Sequence, residues 1–125
     1  MILVDTNIII DFWKKPDERI TEIIENEEIA ICGVVKAELI HGARSEEDID
    51  RILKAVSCFN CLQYSNDWEG LGKMLYRFRV AGITLPITDV IIAQIAMEHN
   101  VTLLSGDRHF EMIKKVYPAF MLQAV

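Results

Sequence analysis

The short run Ile2-Leu3-Val4-Asp5 constrains this chain more than any other stretch. A strand with one wet face alternates apolar and polar residues, whereas this one is apolar without interruption and then ends on a carboxylate. That pattern predicts a strand covered on both faces, as in a parallel sheet with helices above and below it. The rest of the chain repeats the theme. EIAIC (28–32), a stretch around CLQYS, VTLLS and a closing AFML read as further strands. Between them lie helical patterns: Asn7 to about Lys14, Pro16 to about Asn26, VVKAELIHGA ending near Gly42, SEEDIDRILKAV with a Ser45/Asp48 capping box, a long helix from Asn66 or Asp67 to Ala81 stopped by Gly82, DVIIAQIAMEHN, and DRHFEMIKKV. ITLPI reads as a loop. Strands alternating with helices specify an α/β sandwich with a mostly parallel sheet. In such folds ligands gather beyond the carboxyl ends of the strands.

At 125 residues and 51% hydrophobic the chain is sized for one domain, 1–125, whose core needs no disulfides. There is no internal repeat, low-complexity tract or linker-like run. No basic start with a cleavage site opens the chain and no apolar stretch approaches about 20 residues, so a cytoplasmic, soluble protein is expected. Cys32, Cys58 and Cys61 form no even framework and read as reduced, mostly buried thiols. The net charge of −6, from 19 acidic and 13 basic residues, excludes a broad basic footprint for duplex DNA. It does not exclude a phosphodiester substrate, because converging carboxylates can hold a cation that in turn attracts phosphate.

Four carboxylates stand in telling places. Asp5 ends the first strand and Asp107 follows VTLLS; each, taken alone, also reads as a helix N-cap. Glu38 shares a helix face with Val34 and Val35, so it is expected among apolar side chains, where an unpaired carboxylate costs several kcal/mol and calls for a basic partner or a metal. Asp89 heads the very apolar VIIAQIAM helix, again a position an N-cap would fill. As a set they could meet in one cleft with little basic compensation nearby. Hard oxygen ligands of this kind suit Mg²⁺ or Mn²⁺.

VDTNIIIDFW, VVKAELIHGA and ITDVIIAQIAMEHNVTLLSGDRHFEMI, in this order and spacing, resemble the PIN-domain ribonucleases, and within them the VapC toxins of toxin-antitoxin modules. The resemblance spans the whole chain and implies a PIN-like three-layer α/β/α sandwich. It places the family's acidic residues on Asp5, Glu38, Asp89 and Asp107 as catalytic and metal-binding groups, with Asn7 and Ser105 holding carboxylates by hydrogen bonds. Arg108 and His109 stand where some members carry a further acid. The implied activity is Mg²⁺- or Mn²⁺-dependent endonucleolytic cleavage of RNA. The implied partners are a VapB-like antitoxin and a second copy of the chain, for which Trp68, Leu71 and Leu75 offer surface apolar residues.

Lys36, Arg44, Lys73, Arg77, Arg79 and Arg108 are available for an RNA backbone, and Trp13, Tyr76 or Phe78 for base stacking. KMLYRFR reads first as an ordinary helix with a solvated basic face and a buried apolar one, and only second as an RNA-binding stretch. His41, His99 and His109 share no ligand spacing and read as structural or surface residues. Phosphoryl-aspartate chemistry fits poorly: no acidic pair precedes the first strand, and an Asp-x-Asp pattern would need an aspartate where Asn7 stands. A non-catalytic PIN-like binding scaffold is the remaining alternative.

Overall fold

Asp5 closes the first strand and opens the first helix within one residue, and that economy recurs along the chain. The computed structural model describes residues 1–125 as β1 (Ile2–Val4), α1 (Thr6–Lys14), α2 (Glu18–Asn26), β2 (Ile29–Cys32), α3 (Gly33–His41), α4 (Glu46–Val56), β3 (Asn60–Leu62), α5 (Trp68–Val80), α6 (Ile87–Glu98), β4 (Thr102–Ser105), α7 (Arg108–Val116) and β5 (Leu122–Ala124). All strand pairs are parallel, and the sheet order is β3-β2-β1-β4-β5. From β1 the chain steps outward to β2 and β3, then returns to the other side of β1 for β4 and β5. Right-handed crossovers therefore put α1 to α4 on one face and α5 to α7 on the other. Most helix contacts stay within one layer: α1 meets α2 and α3, α3 meets α4, and α6 meets both α5 and α7, while α3 also touches α6. The result is the α/β/α sandwich that the unbroken apolar run implied.

Burial explains why the strands do not alternate. Leu3, Val4, Ala30, Ile31, Leu103 and Leu104 are fully buried, so successive residues face helices on opposite sides. Phe110 and Phe120 pack at 6.3 Å, and Phe78 meets Tyr117 edge-on at 5.5 Å. Removing one such aromatic side chain from a core costs about 3–5 kcal/mol. No helix is long and apolar enough to cross a membrane.

Several boundaries differ from the sequence reading. The third strand is Asn60–Leu62 rather than CLQYS, and the last is Leu122–Ala124 rather than AFML. Both lie at sheet edges with exposed residues, where apolar patterning carries little information. Helix α6 starts at Ile87 behind Pro86, so Asp89 sits inside the first turn instead of capping it. The Ser45/Asp48 box forms as expected, Ser45 Oγ accepting from the Asp48 amide at 3.0 Å. Gly82 stops α5 in the left-handed region (φ 79°), and the Ile83 amide reaches back to the Phe78 carbonyl at 2.8 Å. Of the cysteines only Cys32 is buried; Cys58 and Cys61 are exposed. Leu71, expected at the surface, is a core residue, while Trp68 is exposed.

Candidate active site

β1 and β4 are neighbours whose chains depart in opposite directions, which makes their carboxyl ends the switch point of the sheet. Val4 pairs with Leu104, so Asp5 and Ser105 follow side by side. Asp5 is 7% exposed. Its Oδ1 accepts from the Thr6 amide at 2.8 Å and its Oδ2 from the Ser105 hydroxyl at 2.8 Å. Burial raises its pKa above the ordinary aspartate value, the Ser105 and Thr6 hydrogen bonds oppose the rise, and the charge of Asp107 adds to it. Capping alone does not account for this residue. A cap contributes about 1 kcal/mol and a serine supplies it equally well, whereas burying a carboxylate without a counter-charge costs more than that.

Ser105, 1% exposed, ties the two strands' ends together. While its hydroxyl donates to Asp5, its Oγ accepts from the Asp107 amide at 3.0 Å. Asp107 then accepts from the His109 amide at 2.9 Å and starts α7. One buried hydroxyl thus fixes the spacing between the β1 carboxylate and the β4 loop.

Thr6 does the corresponding work on the other flank. Its hydroxyl, partly buried under α1, donates to Glu38 Oε1 at 3.1 Å and connects α1 to α3. Glu38 is exposed, contrary to the expectation that it lies among the apolar side chains of its helix. α3 turns Val35 and Leu39 into the core, and Glu38 emerges at the rim between them. Its pKa is still raised, first by partial desolvation, against the Thr6 hydrogen bond, and further by Asp5 and Asp89.

On the far side, Asp89 projects from the first turn of α6, and His109 projects from the first turn of α7. His109 Nδ1 lies at hydrogen-bond distance from Asp89 Oδ2, 2.7 Å, and 3.4 Å from Asp107 Oδ1. Burial raises the Asp89 pKa, the His109 hydrogen bond opposes it, and Asp107 and Asp5 add to it. The four carboxylates predicted from sequence are therefore close enough for their charges to act on one another. No lysine or arginine forms an ion pair with any of them.

Other expectations fare differently. Asn7 is exposed and makes no hydrogen bond to a carboxylate; the residue before it, Thr6, makes that bond. Phe78, 1% exposed, is unavailable for stacking. Tyr76 is exposed but carries Arg79 over its ring at 5.4 Å, and Arg77 reaches the Tyr117 hydroxyl at 3.3 Å. Trp13 lines a cleft of about 370 Å³ with Arg44 and Arg51. Thr6 and His109 are the two residues missed. Each stands within two positions of a predicted carboxylate.

A divalent cation suits this donor set. It is rich in carboxylate oxygens, its charges raise one another's pKa, and one imidazole is the only basic group paired with it. Asp5, Glu38, Asp89 and Asp107 are the residues that would hold such an ion.

Comparison with known proteins places this arrangement. Ribonuclease VapC17 of Mycobacterium tuberculosis is 28% identical over 101 residues, covering 78% of this chain and 76% of the relative. A chain in the VapBC-1 structure from nontypeable Haemophilus influenzae superposes with a TM-score of 0.82 at 25% identity, over 99% of this chain and 98% of the other. One in the VapBC2 structure from Rickettsia felis, bound to a promoter DNA fragment, does so with a TM-score of 0.80 at 23% identity, over 100% and 99%. The PIN domain family itself matches from residue 2 to residue 116, a span that contains every strand but the last and all four carboxylates. This chain belongs to the PIN-domain family.

Proposed function

We propose that the protein is a divalent-cation-dependent endoribonuclease and the toxin of a toxin-antitoxin pair. The observation that carries this reading is the convergence of Asp5, Glu38, Asp89 and Asp107 at the β1/β4 switch point with no lysine or arginine paired to them. Its likeness to a named ribonuclease supports the substrate class. When bound, Mg²⁺ or Mn²⁺ supplies Lewis-acid stabilisation of a phosphodiester and lowers the pKa of water.

The chain's own residues do the remaining work. Asp5 would be the central ligand, and Ser105 and the Thr6 amide hold it in one orientation. Asp89 and Asp107 complete the set from two helix starts that face each other across His109. Glu38, at the open rim and oriented by Thr6, is placed to orient the attacking water and accept its proton. The Ser105 and Thr6 hydroxyls, 1% and 8% exposed, are buried and spent on holding Asp5 and Glu38, so a water is the nucleophile. The expected products carry a 5′-phosphate and a 3′-hydroxyl.

A VapB-like antitoxin fits the same cleft. Its arginine would supply the cationic charge that the carboxylates lack. The solved relatives named above are VapBC assemblies, which supports such a partner. A second copy of the chain would find apolar surface at Trp68 and at part of Leu75, the buried Leu71 being excluded.

The test is cleavage of a labelled total-RNA pool by the purified protein with Mg²⁺ or Mn²⁺, with EDTA, and with Asp5→Asn. Discrete fragments are expected from the wild type with metal alone. A folded wild type that cuts nothing in the pool and binds no divalent cation would replace this reading with the binding scaffold.

A further inference from the structure

At His109 the cluster stops being all carboxylate. The α7 start is pinned by the His109 amide on Asp107 Oδ1, and the ring folds back so that Nδ1 reaches both Asp89 (2.7 Å) and Asp107 (3.4 Å). Nδ1 and one oxygen of each carboxylate all lie within 4.8 Å of one another, close enough for three donors to share one ion. The Asp5 flank is different: its two oxygens meet a hydroxyl and an amide, both donating hydrogens to them, and no nitrogen lone pair is available there. The ring is also reachable. The His109 side chain is 38% exposed and that of Asp89 16%.

Two roles are possible for such a ring. It can orient Asp89 from behind, as second-layer groups orient metal ligands, or it can be a ligand itself. A purely orienting histidine needs one carboxylate; this one spans two carboxylates from different helices, at the place where a cation would neutralise both. Nδ1 can present a hydrogen to those oxygens or a lone pair to a cation, but not both.

Building on the cation-dependent reading above, we infer that His109 Nδ1 is a metal ligand and makes the Asp89/Asp107 side of the cleft a mixed nitrogen-oxygen site that prefers Mn²⁺ to Mg²⁺. Both ions favour carboxylate oxygen, but Mg²⁺ demands near-ideal octahedral oxygen geometry and gives up its waters reluctantly, whereas Mn²⁺, the first ion of the transition series, tolerates a nitrogen donor among those oxygens. The identity of residue 109 then sets which cation the site selects, while the four carboxylates set that a cation binds at all.

The test reads binding rather than activity. Mn²⁺ is titrated into metal-free wild type, His109→Asn and His109→Asp, with free Mn²⁺ followed by electron paramagnetic resonance, Mg²⁺ as competitor, and spin-echo modulation from nitrogen-14 on the bound ion. Thermal unfolding without cation checks that both variants fold, as a partly exposed position permits. Wild-type-bound Mn²⁺ is expected to show nitrogen modulation that His109→Asn removes. The preference for Mn²⁺ over Mg²⁺ should shrink toward unity in that variant, and His109→Asp should bind both ions with little preference. Bound Mn²⁺ without nitrogen modulation, and an unchanged preference in His109→Asn, would overturn the ligand role while leaving a cation site in place. Failure of folded wild type to bind Mn²⁺ would overturn both the inference and the reading beneath it.

Discussion

The two flanks of the acidic cleft are built on different principles. On one, Asp5 is buried between two strands, and hydroxyls from Ser105 and Thr6 hold Asp5 and Glu38. On the other, Asp89 and Asp107 come from separate helix starts, are more open to solvent than Asp5, and are joined by one imidazole. The first flank is fixed by the sheet itself, because the register of β1 on β4 sets where Asp5 and Ser105 fall. The second depends on how α6 and α7 pack, and its bridging group can change without disturbing a strand. Orientation is therefore rigid on one side and tunable on the other.

Asp5→Asn breaks the rigid flank at its centre and should have the largest effect. Cleavage is expected to fall below detection, while the metal-free variant at pH 7 should melt no lower than wild type. The sign follows from the raised pKa of Asp5: its ionised form is disfavoured in the fold, so an uncharged side chain of the same shape relieves a penalty. Melting curves and RNA cleavage on the same preparation check both halves. A variant that loses activity together with a large drop in melting temperature would make Asp5 a structural residue.

Ser105→Ala and Thr6→Val compare the two hydroxyls. Ser105 is buried and serves both Asp5 and the Asp107 amide, so its loss leaves polar groups without partners in a dry place. We expect a cost of about 1–3 kcal/mol in stability and about 10–100-fold in cation affinity. Thr6→Val keeps shape and frees only an exposed carboxylate that water can solvate. Its effect should be a few-fold on cleavage and within about 1 kcal/mol on stability. Denaturant unfolding and Mn²⁺ titration measure the pair, and equal losses would show that the flank is not organised by burial.

Acidity probes both flanks together. The pKa values of Asp5, Glu38 and Asp89 are raised, so between the ordinary carboxylate range and their folded values the native state binds more protons than the unfolded chain. Stability from these groups is therefore present below about pH 4 and lost as pH rises through the folded values. A divalent cation compensates the charge only once it forms. Mn²⁺ should raise the melting temperature more at pH 7 than at pH 5, and a larger gain at pH 5 would contradict the assignment.

The rigid flank was the legible one. An unbroken apolar run ending in aspartate encodes both the buried strand and the place where its carboxylate emerges, and VTLLS followed by Asp107 encodes the neighbour. Edge strands were misplaced because β3 and β5 expose most of their residues and lack that signal. Glu38 was read as buried because helical spacing gives a face but not its depth, and α3 happens to end that face at the rim. His109 escaped because its role arises from α6 and α7 packing, a contact 20 residues apart that no local pattern carries.

The smallest effect sharpens the comparison most. Asp11 lines the same surface cleft as Asp107 and Asn7, on the helix that Asp5 begins. Proximity and charge alone would make it a fifth member of the cluster. Yet it is exposed, its side chain takes no hydrogen bond, and it lies more than one helical turn beyond Asp5. Asp11→Asn should leave stability within about 0.5 kcal/mol and leave cleavage and Mn²⁺ affinity at wild-type levels. A loss matching that of Asp5→Asn would mean that the cleft recruits carboxylates by overall charge, and that the hydroxyls and imidazole distinguishing the two flanks do not select its ligands.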